Sequence, residues 1–331
     1  LQEVTGSSLP KKIPFPGLDS SDFEDELELE TNIENGFLEP IKLSESGDEV
    51  PVFGVDASNI DLGETKEGFL CAVRGSVVWR ENKAYQYVRH GPFVFHITEA
   101  NKQFLYDALR RTCFNVNGVV GAPILERMPE HIRNILERWL QKQLCESCRE
   151  SLLLWDGSLT TRTVNSPISI LHNLLKRGRE EKNFILAFSK KTSISAYGQR
   201  VNDLIDDGEA PCLLDIDDIV RIQFGKHIHC FGKIYAVKLS RGDLTFRLDI
   251  DRRIAVEEGV HAVENLLQSD LIVDNYPETL RLAHILSRFS AGEIIAMQRY
   301  VAENYGLRIV RRPDVRQILF GPYGGSTPNV I

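Results

Sequence analysis

From residue 50 onward the chain alternates short apolar runs with segments of helical period. Val52-Phe53-Gly54-Val55 and Leu152-Leu153-Leu154-Trp155 are branched or bulky apolar runs bounded by turn formers, the pattern of buried strands. Phe69–Arg80 and Ala84–Ile97 predict a further antiparallel pair, and Asn101–Thr112 a helix. In Pro129–Glu150, Ile132, Ile135, Leu136, Trp139, Leu140 and Leu144 recur at spacings of three and four, and Pro129 suits a first helical turn. A strand ending at Asp156, a helix over Pro167–Lys182 and a strand over Phe184–Phe188 follow in β-α-β order, which predicts parallel pairing through a crossover. Strands are then predicted at Ile219–Phe224, Phe231–Leu239 and Leu244–Ile250, and helices at Ala255–Leu267, Glu278–Phe289 and Ala291–Asn304. The expected architecture is one α/β domain, a mixed sheet flanked by helices.

Residues 1–48 break this pattern. They mix Pro, Ser, Gly and acids with little periodicity, and read as an acidic peripheral segment ahead of a domain spanning 49–331. Eight acids lie between Asp19 and Glu34, so this stretch accounts for the net charge of −8 and leaves the remainder near neutral. That balance argues against nonspecific coating of nucleic acid. Arg281, Arg288, Arg299, Arg308, Arg311, Arg312 and Arg316 nevertheless concentrate positive charge in the last fifth. No apolar run approaches the roughly 18–20 residues of a membrane span. Leu1-Gln2-Glu3-Val4 has neither a basic start nor an apolar core, so no export signal is expected. Of the six cysteines only Cys145 and Cys148 are close, too few for a four-Cys zinc site. They are expected as reduced thiols on one helical face, which suits the cytoplasm.

The candidate chemistry lies where the apolar runs stop. Asp56 and Asp156 each follow such a run and precede small residues, Ala57-Ser58 and Gly157-Ser158. A carboxylate at the end of a buried strand is costly to hold ionised without a positive neighbour. Taken singly, each also fits a turn-initiating or helix-capping residue. Glu137 lies beside Leu136 and Leu140 and so close to the apolar face of its helix. Three acids brought together repel, a divalent cation removes the penalty, and oxygen donors suit magnesium or manganese. His227-Ile228-His229-Cys230 resembles a metal cluster, but no acid or cysteine accompanies it at usual spacing, so a strand edge or turn is expected.

These residues form an ordered set that resembles the NurA family of DNA-repair nucleases. Gly54-Val55-Asp56-Ala57-Ser58 is similar to the family's first motif, and Leu154-Trp155-Asp156-Gly157-Ser158-Leu159 to its Asp-Gly-Ser-Leu element. Glu137 stands where the family keeps a glutamate. Ser189-Lys190-Lys191-Thr192, Phe246-Arg247-Leu248-Asp249 and Tyr276-Pro277 with His284 resemble its later motifs. The resemblance covers roughly residues 50–320. It implies an RNase H-like fold, a two-metal site with a manganese preference (or magnesium), 5′-to-3′ exonuclease activity and single-strand endonuclease activity. It also implies a homodimer that acts on single strands and double-stranded ends of DNA during end resection, beside a HerA-type hexameric ATPase.

Carried over by residue, Asp56, Glu137 and Asp156 are expected as metal ligands, and His284 as a further ligand or a group that positions the leaving oxygen. Lys190 is expected to bind the scissile phosphate, and Tyr276 to hold a phosphate or stack on a base. Arg247, Arg311 and Arg312 are candidate DNA contacts. Asp249 is either a fourth acid near the metals or a partner for Arg247. Two competitors stand beside this reading. One is a catalytically weak docking or regulatory subunit of a DNA-translocating ATPase. The other is an actin-like phosphotransferase, which needs a Gly-rich phosphate turn that the chain lacks.

Overall fold

The computed structural model describes residues 39–307, apart from 117–119, 163–167, 191–194, 197–198, 201–204, 206–209 and 222–227. Nine strands form its central sheet: β1 (Ile41–Lys42), β2 (Val52–Glu64), β3 (Gly68–Glu81), β4 (Ala84–Thr98), β5 (Leu152–Asp156), β6 (Phe184–Ser189), β7 (Cys212–Asp215), β8 (Gly232–Lys238) and β9 (Phe246–Asp251). Their spatial order is β1-β7-β8-β9-β6-β5-β2-β3-β4. Only β2–β5 and β5–β6 pair in parallel; the other neighbours are antiparallel. The helices are α1 (Lys102–Phe114), α2 (Met128–Ser147), α3 (Ile168–Glu180), α4 (Asp217–Arg221), α5 (Val256–Ser269), α6 (Glu278–Ser287) and α7 (Ala291–Tyr305). This is the mixed α/β architecture that the sequence predicts. Among the described residues no helix is long and apolar enough to cross a membrane.

The layers follow from alternation along the strands. Val52, Leu152, Leu154, Leu186 and Phe188 face α5 and α6, where they pack with Ala262, Val263, Leu266 and Leu280. Their neighbours Val55, Leu153, Trp155, Ile185 and Ala187 face α2 and α3, against Leu140, Leu144, Leu171 and Leu174. Both faces of the central parallel strands are therefore covered, which is why they read as unbroken apolar runs. Farther out, α7 covers Leu62, Leu70 and Ala72 through Met297 and Val301. Its start is marked by a capping box between Ser290 and Glu293. The nearly buried Arg74 bonds Glu293 at 2.7 Å and, with help from the Ser290 amide, holds that carboxyl down to about 2.

Four expectations need correction. Asp56 does not end its strand, because β2 runs on to Glu64. What ends there is its neighbour, since the last registered pair between β2 and β5 is Val55 with Trp155. The strand expected at Ile219–Phe224 is instead α4 as far as Arg221, with 222–224 outside the described residues. Asp217 and Asp218 in its first turn favour a helix start, and the Asp217 amide bonds the Asp215 carboxylate at 3.2 Å. The core also begins before Val50: Ile41 and Lys42 pair with Leu213 and Cys212, and Leu43 is buried. Residues 1–38 of the acidic segment lie outside the described residues. Finally, α2 stops at Ser147, so Cys148 is an extended C-cap residue and does not share a helical face with Cys145; both are free thiols.

Gly54 sets how close α6 comes to the sheet. A Cβ placed there would lie 3.0 Å from the Thr279 carbonyl oxygen and 3.1 Å from its carbonyl carbon. Backbone gives way less readily than a flexible side chain, so Gly54→Ala is expected to lift α6 and cost about 1–3 kcal/mol. Urea denaturation checks this, and an unchanged midpoint would contradict it.

Candidate metal centre

Parallel pairing places Asp56 and Asp156 side by side, each one residue beyond the Val55–Trp155 pair. Val55 and Trp155 face α2 and α3, so the two acids point to the opposite face, under α6. After Asp156 the chain turns through Gly157 at φ +110°, a backbone conformation that favours glycine. The Gly157 amide then bonds the Phe188 carbonyl at 2.8 Å.

α6 lays His284 over this pair. The His284 Nδ1 lies 2.9 Å from Asp56 Oδ2, and the Ser287 hydroxyl donates to the same oxygen at 3.1 Å. One ligand atom each from Asp56, Asp156 and His284 lies within 4.8 Å of the others. Asp56 is 4% exposed, whereas Asp156 and His284 are partly open to solvent. The site is therefore a cleft with one buried wall. If His284 ligates through Nε2, its Nδ1–H bond to Asp56 is the kind of outer contact that orients a metal-bound imidazole.

The electrostatics indicate a deficit of positive charge. Burial raises the Asp156 carboxyl above its ordinary range, and Lys190, 2.7 Å away, offsets part of this. Glu137, on α2, approaches from the other side of the sheet. Its carboxylate is not in the 4.8 Å set, but it registers the same field. Burial first, then the charge of Asp56, pushes it up to about 8, with Asp156 adding to the rise and Arg133 and Arg138 opposing it. A buried acid whose ionisation neighbouring carboxylates oppose is what a bound divalent cation would stabilise. Two carboxylates and an imidazole are a donor set suited to manganese or magnesium more than to a soft metal.

The other expected residues sort differently. Lys190 is ion-paired with Asp156, and its ammonium lies 5.2 Å from the centre of the Tyr276 ring. That ring is buried against Phe188 and Phe246, at 6.0 and 5.1 Å, so it does not offer a face to a base. Its hydroxyl has no hydrogen-bond partner among the described residues, and burial together with Asp156 and Asp56 raises its pKa. Arg247 is buried and clasps Asp249 through Nε at 2.7 Å and a terminal nitrogen at 2.8 Å, which takes it away from a DNA surface. Asp249 also accepts from the Leu159 amide at 2.9 Å; of its two expected roles, the structure shows the partner for Arg247. Arg311, Arg312 and Arg316 lie outside the described residues, as does His227. Ile228–Cys230 is a short strand paired with Thr160–Arg162, the edge expected for that cluster. Ser287 was not anticipated. Its only sequence signal is its place three residues after His284, on the same side of a helix.

Residues 50–289 match the NurA domain. The chain belongs to the NurA family of nucleases. The NurA nuclease from Sulfolobus solfataricus has a similar structure, with a TM-score of 0.50 at 16% identity over 84% of this chain and 89% of that one. This likeness bears on the fold alone, and it agrees with the RNase H-like mixed sheet. A second NurA crystal structure aligns with a TM-score of 0.38 at 11% identity, covering 81% of this chain and 90% of that one. Endonuclease V from Bacillus subtilis gives 0.36 at 11%, covering 77% and 83%. No curated protein is significantly similar in sequence.

Proposed function

We propose that this chain is a metal-dependent deoxyribonuclease whose cation site is built on Asp56, Asp156 and His284, with Glu137 as a third acid completing a two-ion centre. The observation that carries the proposal is the convergence of one donor atom each from Asp56, Asp156 and His284 within 4.8 Å, where β5 ends and β2 continues. Bound there, manganese or magnesium would supply an activated water and stabilise charge on the leaving oxygen of a phosphodiester. The chain's own groups prepare the rest. Asp56 is held from two sides by His284 and Ser287. Lys190 sits on the Asp156 carboxylate, poised to exchange this contact for a substrate phosphate. The Tyr276 hydroxyl, buried and without a hydrogen-bond partner among the described residues, would be a donor for a phosphate oxygen.

Family membership supports a finer reading. The protein would degrade DNA ends from 5′ to 3′, cut single strands internally, and act in end resection as a homodimer beside a HerA-type hexameric ATPase. The acidic residues ahead of β1 would form a segment peripheral to a nuclease domain that includes β1 and the buried Leu43. End-labelled single- and double-stranded DNA incubated with manganese, magnesium or chelator tests the proposal. Cleavage is expected with either cation, strongest with manganese, and none with chelator. Intact DNA under every cation would overturn it.

A further inference from the structure

Ser287 closes α6 with its side chain fully buried. Its hydroxyl lies 2.9 Å from the His284 carbonyl oxygen and 3.1 Å from Asp56 Oδ2. A hydroxyl has one hydrogen to give, and the charged carboxylate is the stronger acceptor. The same Oδ2 meets His284 Nδ1 at 2.9 Å. Two contacts therefore converge on one carboxylate oxygen, and among the described residues none is made to Oδ1. Farther along β2, the Ser58 hydroxyl donates to the Ser287 carbonyl at 2.5 Å. The last turn of α6 is thus stitched to β2 at Asp56 and again two residues later.

We propose that Ser287 is a positioning residue for the cation site: with His284 it pins Oδ2 of Asp56 and reserves Oδ1 for the metal. A carboxylate held at one oxygen from two directions cannot rotate freely about its terminal bond, so the other oxygen is fixed in place before the cation arrives. Ser58 serves as a built-in comparison, because it ties the same helix end and makes no hydrogen bond to Asp56 among the described residues. This inference rests on the proposed cation site.

The test measures manganese binding by the electron paramagnetic resonance signal of the free ion, on the whole chain, for wild type, Ser287→Ala and Ser58→Ala. Groups that orient metal ligands typically govern affinity by about 10–100-fold. Ser287→Ala is expected to raise the manganese dissociation constant about tenfold or more, while Ser58→Ala leaves it within about twofold. Thermal unfolding of each variant confirms that folded protein is compared. Equal binding by wild type and Ser287→Ala would overturn the positioning role while leaving the cation site intact. Equal weakening by both variants would also overturn it, since loosening of α6 would then explain the effect. Absence of manganese binding in wild type would instead overturn the cation site, and this inference with it.

Discussion

Replacing Asp156 by asparagine is expected to lower manganese-dependent DNA cleavage by about a thousandfold, roughly 4 kcal/mol of transition-state stabilisation. The carboxylate is one of the converging donors, and an amide of the same shape brings no charge to hold a cation. Stability should behave differently. Burial already penalises the ionised Asp156, and its partner Lys190 is 37% exposed, so water can take over the ammonium. Asp156→Asn should therefore unfold at or slightly above the wild-type temperature. Asp56→Asn should be just as inactive, but less neutral for the fold, because Asp56 is buried under His284 and Ser287. Steady-state cleavage and thermal unfolding of the same preparations separate the two effects. Near-wild-type cleavage by both variants would remove the acids from the chemistry.

Asp249→Asn should show the reverse profile: a loss of about 3–5 kcal/mol of stability, with little change in turnover by the protein that remains folded. Arg247 and Asp249 are both buried, joined by two hydrogen bonds, and Asp249 also anchors the Leu159 amide just after the Asp156 turn. Removing the negative charge takes from the buried guanidinium the carboxylate that clasps it through two hydrogen bonds. Urea denaturation gives the loss directly. If Asp249→Asn instead kept its stability and lost cleavage, Asp249 would be a fourth acid of the site.

That contrast marks what sequence patterns convey. Acids that follow apolar runs are visible, and so is the helical spacing that keeps Glu137 near the sheet. The parallel β5–β6 pair and the buried start of β2 were legible because strands buried on both faces leave continuous apolar runs. The continuation of β2 beyond Asp56 was not, because Ala57–Glu64 mixes small, polar and apolar residues whose cover, α7, lies more than 200 residues away. β1 is two residues long and owes its place to Leu213 and Cys212, a pairing with no local signature. Ile219 and Val220 suit a strand as well as a helix, and the acids Asp217 and Asp218 before them decide for α4. Candidate cations and aromatics were visible as residue types, but their partners were not. Lys190 meets Asp156, Arg247 meets Asp249, and the Tyr276 ring sinks between Phe188 and Phe246.

The central claim is that Asp56, Asp156 and His284 form a cation site. Titration calorimetry with manganese, on wild type and on the double variant Asp56→Asn/Asp156→Asn, tests it most directly. Saturable binding to wild type, weakened at least about a hundredfold in a double variant that is still folded, is the expected result. Binding of equal strength by both proteins, or none by wild type, would contradict it.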